Sequence, residues 1–248
     1  MHRSVLLAFV SIFAVASVAL AATDREAPKS TLAQAVAQTN RASSFHYALD
    51  ITVGRTHYPA MSLRVRGIRG RGSLFIHVRA MADALPGPEQ SALLDGPFLY
   101  EGSPNGVAIA GNVRWLRLPV ARIGEQSRPM TTMRNLSPAP LLHVLDEWTR
   151  ARTRSRTGLF HGTVAYDDRI VESALSGLTG GIQFRHIWFS ARIGGDGYVH
   201  TIRVTGRTAD AQRTLTVTAH LYAFGRAVTP HPPAEGTFID KKSLALAE

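Results

Sequence analysis

From Phe45 onward, apolar side chains recur at every second position. Phe45, Tyr47, Leu49, Ile51 and Val53 alternate with His46, Ala48, Asp50 and Thr52. A period of two places one face of a strand in a core and the other in water. The same period runs through Met61, Leu63 and Val65 against Ser62, Arg64 and Arg66, where Gly67 interrupts it. It returns at Leu74, Ile76 and Val78, against Phe75, His77 and Arg79. Further strands are predicted for PFLYEG from Pro97, VAIAG from Val107 and NVRWLRLPV from Asn112, with the turn signal Ser103-Pro104-Asn105-Gly106 between the first two. In the second half, GLFHGTVAYDD reads as a strand, and a hairpin closes about Gly194-Gly195-Asp196-Gly197. In the last alternating run, Leu215, Val217, Ala219 and Leu221 share one face, opposite Thr214, Thr216, Thr218 and His220.

Helical spacing is confined to few places. Ser30 to Ala42 predicts a helix capped by Ser30, with Leu32 and Val36 on its apolar stripe. SPAPLLHVLDEWTRA predicts a second, with Ser137 as cap, Pro138 in the first turn, and Leu141, Leu142, Val144, Leu145 and Trp148 facing a core. RIVESALSGL is a short helix or a covering loop. Roughly nine strands against two or three helices exclude a βαβ pattern, and the hairpin-like spacing argues antiparallel pairing. The expected fold is therefore α+β: a strongly curved antiparallel sheet, a half-barrel, with the helices covering its concave face. No repeat or linker divides residues 23–248, so one domain is expected. The last strand, Thr214 to Phe224, is expected as the closing strand or an edge strand of the sheet, with Gly225 as a kink or bulge and Pro230, Pro232 and Pro233 guarding the open edge.

The first 22 residues change the setting. Arg3, an apolar run from Val5 to Leu20, and Ala19-Leu20-Ala21 have the anatomy of a cleavable export signal, with an uncleaved anchor helix as the alternative. A lipoprotein signal would need cysteine after Leu20-Ala21-Ala22. Position 23 is threonine, and the chain has no cysteine, so lipid anchoring by that route and disulfides are both excluded. The product is expected outside the inner membrane, secreted or in the cell envelope. The formal net charge is +10, and all but Lys29, Lys241 and Lys242 of the 28 basic residues are arginine. That balance fits either contact with anionic surfaces or an ordinary solvated basic surface.

Reactive chemistry is sparse. There is no H-E-x-x-H, and Ala174-Leu175-Ser176-Gly177 lacks the first glycine of a nucleophile elbow. Gly67-Ile68-Arg69-Gly70-Arg71-Gly72 lies between strands and has the wrong spacing for a dinucleotide loop. The histidines are scattered singly. His143 with Asp146, and Asp167-Asp168 with Glu172, are the best local groups, and neither supplies a full metal ligand set. No catalytic residue, metal or cofactor is expected, and the chain is read as non-enzymatic. Arg150, Arg152, Arg154 and Arg156 would form a strip of positive charge along an extended segment. Arg64, Arg66, Arg69 and Arg71 would form a second patch. Without interleaved aromatic residues, neither fits nucleic acid.

The order of short motifs resembles a known class. Val113-Arg114-Trp115-Leu116-Arg117-Leu118 is followed by the Pro-Ala-Pro-Leu-Leu helix, His161-Gly162-Thr163, Ile187-Trp188-Phe189 with its Gly-Asp-Gly turn, and a last strand ending Phe-Gly-x-x-Val-x-x-x-Pro-Pro. This layout is similar to bacterial envelope proteins of the LolA-like and LppX-like lipoprotein class. The resemblance implies a half-barrel closed by helices around a hydrophobic cavity that carries lipids or lipoprotein acyl chains. Thr23 departs from the lipoprotein members, and residues 85–97 and 120–136 match no motif. On this basis Trp115, Leu142, Leu145, Trp148, Phe184 and Trp188 are candidate cavity residues, or simply core, and Arg150, Arg152, Arg154 and Arg156 are candidates for an anionic headgroup. The expected partners are a lipid or other amphiphile and an anionic membrane surface, with the protein a monomer that binds no nucleic acid. The alternative is an envelope interaction or regulatory module that uses the same fold without a ligand.

Overall fold

The computed structural model describes residues 31–55, 58–82, 85–102, 113–124, 128–147, 153–154, 158–164, 184, 186–208, 210–227 and 230–240. Twelve strands form a single sheet. They are β1 (Phe45–Arg55), β2 (Tyr58–Arg69), β3 (Ser73–Ala82), β4 (Leu85–Asp95), β5 (Phe98–Gly102), β6 (Trp115–Pro119), β7 (Thr153–Arg154), β8 (Leu159–Val164), β9 (His186–Ile193), β10 (Val199–Arg207), β11 (Arg213–Tyr222) and β12 (Phe238–Asp240). Four helices are described: α1 (Leu32–Arg41), α2 (Val120–Ile123), α3 (Arg128–Asn135) and α4 (Ala139–Glu147).

The strand order is β12-β6-β5-β4-β3-β2-β1-β11-β10-β9-β8-β7, open at both ends. Every pairing is antiparallel except that of β12 with β6. This is the expected open α+β sheet, with more strands and helices than the periodicity counts. The unmatched stretch 85–97 supplies β4, whose Pro86-Gly87-Pro88 sequence hides its period. Residues 120–136 hold α2 and α3.

Side-chain alternation sorts the sheet into two faces. Phe45, Tyr47, Leu49 and Ile51 of β1, Val65 of β2, Ile76 of β3, Val204 of β10 and Leu215, Val217, Ala219 and Leu221 of β11 are buried. They share one core with Leu32, Ala35 and Val36 of α1, Met130 and Met133 of α3, and Leu141, Leu142, Val144 and Leu145 of α4. All three helices thus cover the same face. α1 is started by Thr31, not Ser30: its hydroxyl accepts from Gln34 N at 3.2 Å while Thr31 N donates to Gln34 Oε1 at 2.8 Å. At α4, Ala139 N donates to Ser137 Oγ at 3.3 Å, and Pro138 stands just before the helix.

Two expectations fail in register. Gly67 does not interrupt β2, which runs on to Arg69. A Cβ there would lie 2.1 Å from Tyr47 Cζ, so glycine admits the Tyr47 ring and the strand continues beneath it. Nor is β11 an edge strand. It lies between β1 and β10, because the first and last long strands of the chain pair with each other. After Tyr222 the chain turns through Ala223 (φ 56°) and Gly225 (φ 69°) and straps the start of β1. Gly225 N donates to Ser44 O at 2.9 Å, and Ser44 Oγ donates to Arg226 O. The proline-rich stretch leads to β12, which extends the opposite end of the sheet.

β12 is held by a clasp on the outer face. Arg117 of β6 donates through Nε and Nη2 to Asp240 at 2.7 and 2.9 Å. Its guanidinium lies 4.9 Å from the Phe98 ring centroid and 4.5 Å from that of Phe238. The hydrogen bonds from Arg117 hold the Asp240 carboxyl below the usual carboxylate range. A depressed folded-state value means stability that is present above the unfolded carboxylate pKa, about 4, and lost as pH falls through the folded value. Asp240→Asn should therefore melt below the parent at pH 7, and the gap should close as thermal unfolding is followed toward pH 3.

Candidate functional site

At the end of the sheet where α1 meets the β9–β10 turn, Gln34, Ala37, Gln38, Arg41, Ala42 and Tyr198 line a cleft of about 430 Å³. The turn is fixed to the helix by two bonds, and a third within the helix sets the Thr39 hydroxyl. Gln38 Nε2 donates to Asp196 O at 3.0 Å, Val199 N donates to Thr39 Oγ1 at 2.9 Å, and Thr39 Oγ1 donates to Ala35 O at 2.7 Å. Asp196 tightens the turn by accepting from Tyr198 N at 3.2 Å and pairing with His200 Nε2 at 2.9 Å. Thr39 is fully buried, so Thr39→Ala would leave the Val199 N–H unpaired. It should lower stability by about 1–3 kcal/mol, with Thr39→Ser close to the parent, as read by chemical denaturation.

Behind the cleft runs a chain of aromatic rings. Tyr198 stacks on Phe224, with centroids 4.3 Å apart and planes 6° from parallel. Phe224 lies 5.8 Å from Phe45, and Phe45 lies 6.4 Å from Tyr47. The cleft is thus polar at its rim and backed by aromatics that lead into the core. Arg41 sits in the last turn of α1, where the helix dipole favours a cation.

The residues singled out from sequence are dispersed. Leu142 and Leu145 are buried beneath α4, and Phe184 is buried against Gly206. Trp115 is half-buried on the outer face beside Gly102. Trp188 also lies on the outer face, 42% exposed, between the buried Ile187 and Phe189. Trp148, Arg150, Arg152 and Arg156 lie outside the described residues, as do Asp167, Asp168 and Glu172; Arg154 is in β7, its side chain not described. The second arginine group does not form one patch. Arg64 and Arg66 project outward, Arg64 beside Asp50 at 3.6 Å, whereas Arg69 shares the inner face with Phe45.

The sequence reading missed a polar row on the outer face. His77 Nδ1 is 2.9 Å from Ser91 Oγ, His77 Nε2 is 3.7 Å from Glu89, and Glu89 pairs with Arg79. The residue types match a nucleophile, base and acid. Glu89, however, is taken up by Arg79 and stands beyond hydrogen-bond reach of His77 Nε2, so the row lacks the orienting bond of a nucleophile–base–acid relay. Burial first, then the charges of Arg79 and Arg66, holds the His77 imidazole below its ordinary value. Among the described residues no group of three or more His, Asp or Glu side chains could hold a metal ion.

No protein-family model matches the chain, and no curated protein matches it. Solved structures similar to it include a LolA superfamily protein from Nitrosomonas europaea, 10% identical, TM-score 0.29, covering 80% of this chain and 93% of that one. Another is an outer membrane lipoprotein-sorting protein domain from Vibrio parahaemolyticus, 5% identical, TM-score 0.28, covering 80% and 92%. A third is a DUF1329 family protein from Desulfovibrio piger, 7% identical, TM-score 0.22, covering 81% and 92%. No functional residue is carried across from any of them.

Proposed function

We propose that the chain is an exported, non-enzymatic binding protein that takes up a lipid or similar amphiphile between the apolar sheet face and its covering helices, and carries it within the cell envelope. One observation carries this reading: the cleft beside α1, polar at its rim, is backed by the aromatic rings that continue into the core. Such a gradient suits a molecule with a polar head and an apolar tail. Leu142, Leu145 and Phe184, on the same core, would contact the tail. The net charge of +10, with Arg150, Arg152, Arg154 and Arg156, would hold the protein near anionic headgroups while the ligand transfers. Read as an export signal, residues 1–22 would put this exchange outside the inner membrane.

Among the described residues, the large exposed apolar side chains do not favour the alternative of a ligand-free interaction module. Trp188 and Tyr222 lie on different cross-strand rows, Trp188 opposite Thr205 and Tyr222 opposite His46. Arg203 of the intervening β10 and Thr218 and His220 of β11 project from the same face, so the two do not make one flat apolar patch. Native mass spectrometry of the exported protein, purified without detergent, should show a second species heavier by one lipid mass, which solvent extraction identifies. A single ligand-free species that also fails to take up added fatty acid would overturn the reading.

A further inference from the structure

Two groups on the inner face are left without polar partners among the described residues. Tyr47 is fully buried, and its hydroxyl has no hydrogen-bond partner. Two residues beyond Gly67 on the same face of β2, and so about 6.6 Å along the strand, stands Arg69. No carboxylate pairs with Arg69 among the described residues; its guanidinium lies 5.6 Å from the Phe45 ring centroid. A buried hydroxyl without a partner is costly, and a half-buried cation without a counterion is more so. Natural sequences retain such groups where something else completes them.

The backbone is shaped around this pair. Gly67 has no side chain because the phenol end of Tyr47 occupies that space: a Cβ would lie 2.3 Å from the hydroxyl oxygen. The ring is thereby laid over β2, two residues from Arg69 on the same strand. Burial pushes the phenol up and pulls the guanidinium down from their ordinary values, while each charge favours the other's ionised form. Phe45, beneath Arg69, continues through Phe224 and Tyr198 to the cleft.

We propose that Tyr47 and Arg69 form the head-group site of the amphiphile, with the phenol and the guanidinium both donating to one anionic oxygen group. The chemistry follows from what the pair offers. A guanidinium has five N–H donors and no acceptor, and the phenol adds one O–H donor. Their complement is an acceptor-only, negatively charged group, and a carboxylate is the smallest that fits. A neutral head would leave the cation unneutralised. The surrounding apolar side chains disfavour a small hydrated anion and favour one attached to a hydrocarbon tail. The assignment rests on the amphiphile reading above, and it separates two roles: Arg69 receives the bound molecule's own head, while Arg150 to Arg156 meet the membrane surface.

The test compares oleate, oleyl alcohol and acetate on the full exported protein, by calorimetry and thermal unfolding. The parent should bind oleate at least tenfold more tightly than oleyl alcohol, since a hydrogen bond to a charged group is worth about that factor. Tyr47→Phe and Arg69→Met should each bring the ratio toward one, and Arg69→Lys should restore part of it. Tyr47→Phe should fold with an unchanged or raised melting temperature, because it removes an unpartnered buried hydroxyl. Equal binding of oleate and oleyl alcohol by the parent, or a preference that survives both variants, overturns the head-group assignment while the amphiphile reading stands. If neither long-chain probe binds, the amphiphile reading falls, and acetate decides the rest. A rise in melting temperature with acetate that Arg69→Met abolishes keeps an anion site at the pair; no rise overturns it.

Discussion

Gly67→Ala is expected to lower stability by about 3 kcal/mol, at the upper end of what overpacking a core costs. The added methyl carbon would lie 2.1 to 2.4 Å from Cζ, Oη and Cε1 of Tyr47. Those atoms belong to a rigid ring that is fully buried among Phe45, Leu49 and the helices. Neither partner can yield cheaply. The ring can move only by disturbing its neighbours, and β2 can move only by breaking its ladders with β1 and β3. For a chain of this size the melting temperature should fall by about 6–12 °C. The cause is checked by a double-mutant cycle: in a Tyr47→Leu background the ring is gone, and Gly67→Ala should cost less than about 1 kcal/mol. Equal losses in both backgrounds would place the effect in backbone conformation instead.

Leu142→Ala should cost a similar amount, about 2–5 kcal/mol, for a different reason. Leu142 is fully buried on α4, in the layer that joins this helix to α1 and the sheet. Truncation removes apolar surface from the core and leaves a hollow that neighbouring strands cannot collapse to fill. Urea denaturation should show a lower midpoint with an unchanged slope. Both substitutions act on the same covered face, one from the sheet side and one from the helix side.

The fold was legible wherever alternation was unbroken. The faces of β1 and β11 follow directly from their period, and the turn at Gly194–Gly197 lies between β9 and β10 as its glycines predict. What escaped the sequence was long-range. Pairing of β1 with β11 is a contact across most of the chain, and local pattern carries no record of it; hence the misplacement of β11 at an edge. Gly67 reads as a break because glycine usually weakens strands, and only the Tyr47 ring explains why this strand continues. β12 is three residues long and is held by Arg117 through its side-chain clasp, which no period can announce. The site was less legible still. The tryptophans attracted attention by size, yet Trp115 and Trp188 face outward. The parity that could have set Arg69 apart from Arg64 and Arg66 was present, running through Leu63, Val65 and Gly67, and was cut short at the glycine.

The proposed amphiphile would lie at the end of the sheet beside α1, with its tail against the inner face. A photoreactive fatty acid, crosslinked to the exported protein and mapped by peptide mass spectrometry, tests this most directly. Adducts are predicted on the cleft and the aromatic chain behind it, at residues 34–47, Tyr198 and Phe224, and excess oleate should compete them away. Adducts confined to the outer face around Trp188 and Tyr222, or none that oleate displaces, would contradict it.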